Sequence, residues 1–223
     1  MSAILFGSIG TIAETSELQR AAFNQAFAQA GLGWHWSREE YRELLKSSGG
    51  KQRIADYGRS QNQTIDADAL HQAKSAIFQQ SLRAGQIEPR PGVIEVMEQA
   101  RAHNLKLGLV TTTSAANVSA LLDGLKQLAV GSFDIVTKAS DVHQGKPAAD
   151  AYQYAMSSIQ EITADCIAIE DNVDGLAAAQ SAGLACVAFP GDNTQHHSFE
   201  GAIQRTTRLD FEELAMLLPV LAN

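Results

Sequence analysis

A single short apolar run, Ile4-Leu5-Phe6, stands at the start of the chain, and about 70 residues of helical pattern part it from four similar runs. That spacing constrains the fold more than any other feature. The run is too short for a helix and continuous rather than alternating, as in a strand buried on both faces of a parallel sheet. Gly7 and Gly10 then allow a sharp turn beneath whatever sits above the strand end, where ligands bind in open α/β sheets. Taken alone, the stretch is a first strand and a tight turn.

Residues 15–88 are expected to be helical throughout. Leu18, Ala22, Phe23, Ala26, Phe27 and Ala30 fall at helical spacing, and Ser16 and Gln19 have the S-x-x-Q spacing of a capping box. Ser37 and Glu40 form a second such box. Trp34 and Trp36 are expected to be packing residues. Leu70, Ala73, Ile77, Phe78 and Leu82 give a further helix over 66–84 its apolar side. From Pro89 onward, apolar runs at 107–110, 133–136, 167–169 and 186–189 alternate with helical stretches, which implies βα units. The pattern predicts five parallel strands, a last helix over 211–218, and a helical insert above the strand ends, the position of a lid.

With 223 residues, 45% of them hydrophobic, the chain can bury one large core. A formal net charge of −8 argues against nucleic acid as a partner, because backbone binders concentrate Lys and Arg. No apolar stretch has the length of a membrane span, and the N-terminus lacks signal-peptide regions, so the expected location is cytoplasmic with no membrane partner. Cys166 and Cys186 lie in strand-like runs and are expected to be core residues. No motif identifies a protein partner.

Four groups fall at or just after expected strand ends: 7–11, Thr111 with Thr112, Thr113 and Ser114, Gly145-Lys146-Pro147, and 170–175. In a parallel sheet these ends converge, bringing together hydroxyls, a lysine and two carboxylates, an inventory for phosphate and a hard cation. Each group also has a structural explanation. The threonines can end a strand and cap a helix, Lys146 can be a solvated loop residue, and Glu170 and Asp171 can open the next helix.

These groups resemble, in order, motifs two, three and four of the haloacid dehalogenase superfamily: Thr111 after its strand, Gly145-Lys146-Pro147, and Ile169-Glu170-Asp171 with Gly175 and Gly183. Glu14-Thr15, the Trp34-His35-Trp36 pair and the stretch 48–54, which contains Gly50, Lys51 and Arg53, are similar to CbbY-like sugar-phosphate phosphatases of subfamily I. The resemblance covers nearly the whole chain. It implies an α/β fold, a Rossmann-like parallel sheet core (1–14 and 89–223) with an inserted helical cap domain (15–88).

The resemblance also implies a phosphatase whose first motif is Asp-x-Asp-Gly-Thr, the first Asp being the nucleophile and the second the general acid and base. Gly10 and Thr11 match that motif, whereas Gly7 and Ile9 stand at the two aspartate positions. Neither side chain can do the chemistry. Mg²⁺ is the implied cofactor, and with Asp171 as the matching carboxylate and Glu170 beside it, the loss of one carboxylate is expected to weaken the metal site. Phosphate-binding residues carried over by the resemblance are Thr111, Thr112, Lys146 and Gly10. Gly50, Lys51, Arg53 and Asn117 are the expected substrate and cap residues. Ser16 and Gln19 depart from the Glu and His usual in the CbbY-like proteins. With two carboxylates gone, Lys146 is expected to be less neutralised, space is expected above Gly7, and Ile9 is expected to make the entrance more apolar. The expected ligand is a phosphorylated small molecule or inorganic anion. Three readings stay open at this point: a catalytically silent homologue, an active hydrolase using a non-standard site, and a partner-binding protein.

Overall fold

The structure, a computed structural model, describes residues 2–47, 49–85 and 87–218. The chain runs β1 (Ala3–Phe6), α1 (Ile9–Ile12), α2 (Ser16–Gln29), α3 (Arg38–Leu44), α4 (Gly50–Ser60), α5 (Ala67–Ala84), α6 (Val93–Ala102) and β2 (Lys106–Leu109). It continues with α7 (Ala115–Gly124), β3 (Ile135–Val136), α8 (Asp150–Ile159), β4 (Cys166–Glu170), α9 (Val173–Ser181), β5 (Ala185–Ala188), β6 (Gln204–Arg205) and α10 (Phe211–Ala215). All strand pairs are parallel, in the order β3-β2-β1-β4-β5-β6.

β1 lies inside this sheet, which is why its run is apolar on both faces. Ile4 and Phe6 enter one apolar cluster with Leu107, Leu109 and Ile169, while Ala3 and Leu5 enter another with Tyr152 and Ala168. The register sets Phe6 beside Leu109 and Ile169, so Gly7, Val110 and Glu170 leave the sheet at one level. That level is the floor of the site.

Among the described residues six strands form where five were expected. β6 is two polar residues long and carries no apolar signal. β3 is shorter than expected, because Val130–Ser132 form a 3₁₀ turn just ahead of Phe133. The last helix ends at Ala215 rather than 218.

Helices α2 to α5 share an apolar cluster of Phe23, Phe27, Trp34, Trp36, Tyr41 and Ile54. Trp36 lies with its ring centroid 4.8 Å from that of Phe23 and 4.7 Å from that of Phe27, so the tryptophans are packing residues as expected. The Ser37–Glu40 capping box forms. The one expected at Ser16 and Gln19 does not. Thr15 takes the N-cap position without a side-chain bond, and Ser16 instead donates to Glu14 Oε1 at 2.5 Å. The Ser48 contribution to the 48–54 motif lies outside the described residues.

Hydrogen bonds at both ends of this helical segment join it to the sheet layer. Ala13 and Pro89 form an isolated antiparallel bridge where the chain enters and leaves the segment, with Arg90 N–H donating to Ile12 O at 2.8 Å. At the other end, the buried side chain of Asn193 accepts from Arg38 Nε (3.0 Å) and donates to Ser16 Oγ (3.1 Å) and Glu17 Oε1 (2.5 Å).

Candidate functional site

A cavity of about 720 Å³ lies between the strand ends and the helical segment. Its floor is built by the turn after β1. Ser8 caps α1, its Oγ accepting from Gly10 N–H at 3.0 Å. Arg90 underpins the turn, donating to the carbonyls of Gly10 (3.2 Å), Phe189 (2.6 Å) and Pro190 (2.6 Å), with its guanidinium 3.5 Å from the Phe189 ring centroid.

The space above Gly7 is filled. A Cβ placed on Gly7 would stand 2.1 Å from Cδ of Glu170, and one on Gly175 would stand 2.2 Å from the same atom. The Glu170 carboxyl is therefore seated between two glycines, fully buried. It accepts from Lys146 Nζ at 2.5 Å and from Tyr152 O–H at 2.8 Å, while Oε2 has no protein partner. Burial raises the Glu170 pKa, with Lys146 opposing, and burial also raises that of Tyr152, with Glu170 adding to the rise.

Two expectations are corrected here. Lys146 is not left short of anions. Its ammonium has three donors, and they go to Glu170, the Gly7 carbonyl and, at 2.8 Å, the Val110 carbonyl. The missing side chain at residue 7 does not open a void either, because the neighbouring carboxyl occupies it. Ile9, expected at the entrance, is 7% exposed and belongs mainly to the core beside Ile4 and Phe6, although it also touches the cavity.

Asp171 is engaged as well. Its Oδ1 accepts from Ser8 Oγ (2.5 Å), Asn172 Nδ2 (3.0 Å) and Thr11 Oγ1 (3.4 Å), and Oδ2 lies 2.1 Å from where a Cβ on Gly10 would stand. A divalent cation at this point would have to displace hydroxyl donors from Asp171 and Lys146 from Glu170. Among the described residues, no three carboxylate, histidine or cysteine side chains converge as a metal site. The cavity-lining carboxyl at the end of β4 that could hold Mg²⁺ is then Asp171, through Oδ2, which leaves a site of one carboxylate completed by water and phosphate.

Thr111 and Thr112 also line the cavity. Thr111 Oγ1 accepts from Thr113 N–H at 3.2 Å and keeps its own hydrogen to donate. Its backbone is fixed by Thr137, whose hydroxyl accepts from Thr111 N–H (2.9 Å) and donates to Thr111 O (2.7 Å). Gly10 reaches the cavity, but its N–H is taken by Ser8. Asn117 also reaches it and spends its amide on Gln79 (2.9 Å) and Thr113 (2.7 Å).

The roof is cationic. Gly50, Lys51, Arg53, His71 and Lys74 line it. Arg53 is buried and donates to the carbonyls of Leu44 (2.8 Å) and Ser47 (2.6 Å); Lys51 is exposed and pairs with Asp68 at 2.6 Å. Lys74 is 4% exposed, donates to Gln19 Oε1 at 3.0 Å, and lies 4.6 and 4.8 Å from the ring centroids of Phe23 and Phe78. Burial, with Arg53 nearby, brings its pKa down to about 7. Sequence reasoning missed Lys74 because a lysine on a helix is ordinarily a solvated residue; its place one turn from Phe78 on the apolar side of α5 is the signal that could have found it. Cys166 and Cys186 are buried in the core, their thiol pKa values raised by burial.

The sequence pattern of the haloacid dehalogenase-like hydrolases matches residues 4–189. Protein CbbY of Cereibacter sphaeroides is 40% identical over 206 residues, covering 91% of this chain and 90% of that protein. A crystal structure of CbbY from Rhodobacter sphaeroides in complex with phosphate superposes with a TM-score of 0.87 at 38% identity, covering 96% of each chain. A structure of a point mutant of that protein, in complex with xylulose-(1,5)bisphosphate, gives 0.86 at 38% identity, covering 93% of this chain and 94% of that one.

Proposed function

The chain belongs to the haloacid dehalogenase-like hydrolase family, and we propose that it is a member that binds a phosphorylated small molecule of the sugar-phosphate class without aspartyl-phosphate turnover. In this reading Gly7 and Ile9 replace the nucleophile and the general acid, and residues 15–88 act as a cap over the core formed by 1–14 and 89–223. The observation that carries it is the chemistry of the floor. Glu170 is held by Lys146 and Tyr152, Asp171 Oδ1 by the Ser8 hydroxyl, and residue 7, at the end of β1, brings no nucleophilic side chain to the cavity floor. Hydroxyls of Thr111 and Thr112 remain to hold phosphate oxygens. Arg53 supplies positive potential from above.

Support for the ligand class comes from the two CbbY complexes, one with phosphate and one with a five-carbon bisphosphate. In this reading the anion needs no divalent cation to bind, because the Thr111 hydroxyl is held in place without one.

Thermal unfolding with inorganic phosphate and with xylulose 1,5-bisphosphate, each with and without Mg²⁺, tests this. At a hundredfold excess over Kd, binding stabilises by about 2.7 kcal/mol, a rise of roughly 5–10 °C for a chain of this size. No rise with either compound overturns the binding reading. A second reading, hydrolysis by water activated at Asp171, draws on the fact that Asp171 lines the cavity; it predicts steady phosphate release that Asp171→Ala abolishes.

A further inference from the structure

The loop after β5 reaches both sides of the cavity through two neighbouring residues. Thr194 Oγ1 donates to the Asp171 carbonyl at 2.6 Å and accepts from Gly191 N–H at 2.9 Å, which ties the loop to the floor. One residue earlier, Asn193 is fully buried although it lies in a loop, and its side chain is spent on the helical segment. Its amide oxygen accepts from Arg38 Nε (3.0 Å) and Arg42 Nε (3.4 Å) on α3, and its amide nitrogen donates to Ser16 Oγ and Glu17 Oε1 where α2 begins. Two further contacts hold α3 to the same loop: His197 Nε2 lies 3.0 Å from the Arg42 carbonyl, and Arg38 Nη2 lies 3.7 Å from Asp192 Oδ2. α3 ends at Leu44, and the carbonyls of Leu44 and Ser47 are the ones that hold the Arg53 guanidinium at the roof. A continuous run of contacts therefore joins floor to roof, from Asp171 through Thr194, Asn193 and α3 to Arg53.

We propose that Asn193 is a positioning residue that, through α3, fixes the gap between Arg53 and the cavity floor and so selects ligands that are anionic at both ends. This rests on the phosphate-ester reading of the cavity. An asparagine amide offers two acceptor and two donor positions, and all four are filled here. Such a clip is rigid, because breaking it strands polar groups away from water. The guanidinium that it places is set before the ligand arrives, so binding does not have to order it. A ligand with one anionic group needs only the Thr111 side of the floor and is indifferent to the gap. A ligand with a second anionic end needs Arg53 at the right height, since charge-assisted hydrogen bonds are short and directional.

Calorimetric titration of the intact protein with xylulose 1,5-bisphosphate and with inorganic phosphate tests this. Asn193→Leu should weaken the bisphosphate about fivefold or more and leave inorganic phosphate within about twofold of wild type. Asn193→Asp keeps the acceptor for Arg38 and Arg42 and should restore most of the bisphosphate affinity. Arg38→Ala, at a half-buried residue, loosens the same clip and should weaken the bisphosphate about twofold; it decides the matter if Asn193→Leu fails to fold. In an Arg53→Met background, Asn193→Leu should cost the bisphosphate nothing further, because its effect runs through that guanidinium. Unchanged bisphosphate affinity, equal weakening of both ligands, or a loss that persists in the Arg53→Met background overturns the proposal and leaves the binding reading intact. Failure of the wild type to bind either compound overturns the binding reading, and the proposal with it.

Discussion

Two lysines face the same cavity from opposite sides and are held in opposite ways. On the floor, Lys146 is paired with a buried carboxylate and two carbonyls; on the roof, Lys74 is buried against two aromatic rings with one amide for company. The floor resembles a salt bridge inside a core, and the roof resembles an unpaired charge pressed toward neutrality. The difference teaches that one ammonium of the cavity is neutralised within the core, whereas the other is desolvated with no carboxylate beside it.

Replacing each lysine by methionine separates the two most sharply. Lys146→Met strands the Glu170 carboxyl between Gly7 and Gly175, and it should cost about 3–5 kcal/mol in urea unfolding. Gly7→Ala drives a methyl group into the same carboxyl and should cost about 1–3 kcal/mol. Lys74→Met, of similar size and shape, should instead stabilise by about 1–3 kcal/mol at pH 7, because it removes a desolvated cation without orphaning an anion.

The Lys74 effect carries a pH signature. Its folded pKa of about 7 lies below the ordinary lysine value of 10.5, so between these pH values the unfolded chain binds more protons than the folded one. Wild-type stability should therefore rise relative to Lys74→Met as pH climbs from about 7 to 10, with a slope approaching about 1.4 kcal/mol per pH unit. A flat difference would mean that Lys74 is solvated. A smaller effect is expected at the tie between the two sides. Asn193→Ala removes hydrogen bonds to Arg38, Ser16 and Glu17 and should cost about 1–2 kcal/mol, with faster amide exchange confined to the start of α2 and to α3.

The sheet was legible because β1, β2, β4 and β5 are buried on both faces and must be apolar, whereas β6 satisfies its backbone with two polar residues and leaves no pattern. The site was half legible. Spacing alone brought Thr111, Lys146, Glu170 and Asp171 to one end of the sheet, and the resemblance marked the two anomalous positions, Gly7 and Ile9. What neither supplied was where the freed space goes. Only packing shows that Glu170 enters it and takes Lys146 along, or that Gln19, freed from the expected capping box, turns to Lys74.

The central claim is a site that binds phosphate esters and does not turn them over. It is tested most directly by calorimetric titration with xylulose 1,5-bisphosphate, with and without Mg²⁺, while phosphate release is followed in the same sample. The account predicts saturable one-to-one binding in both cases and no release above the level of the Lys146→Met variant. Mg²⁺-dependent release over many turnovers, abolished by Asp171→Ala, would contradict it.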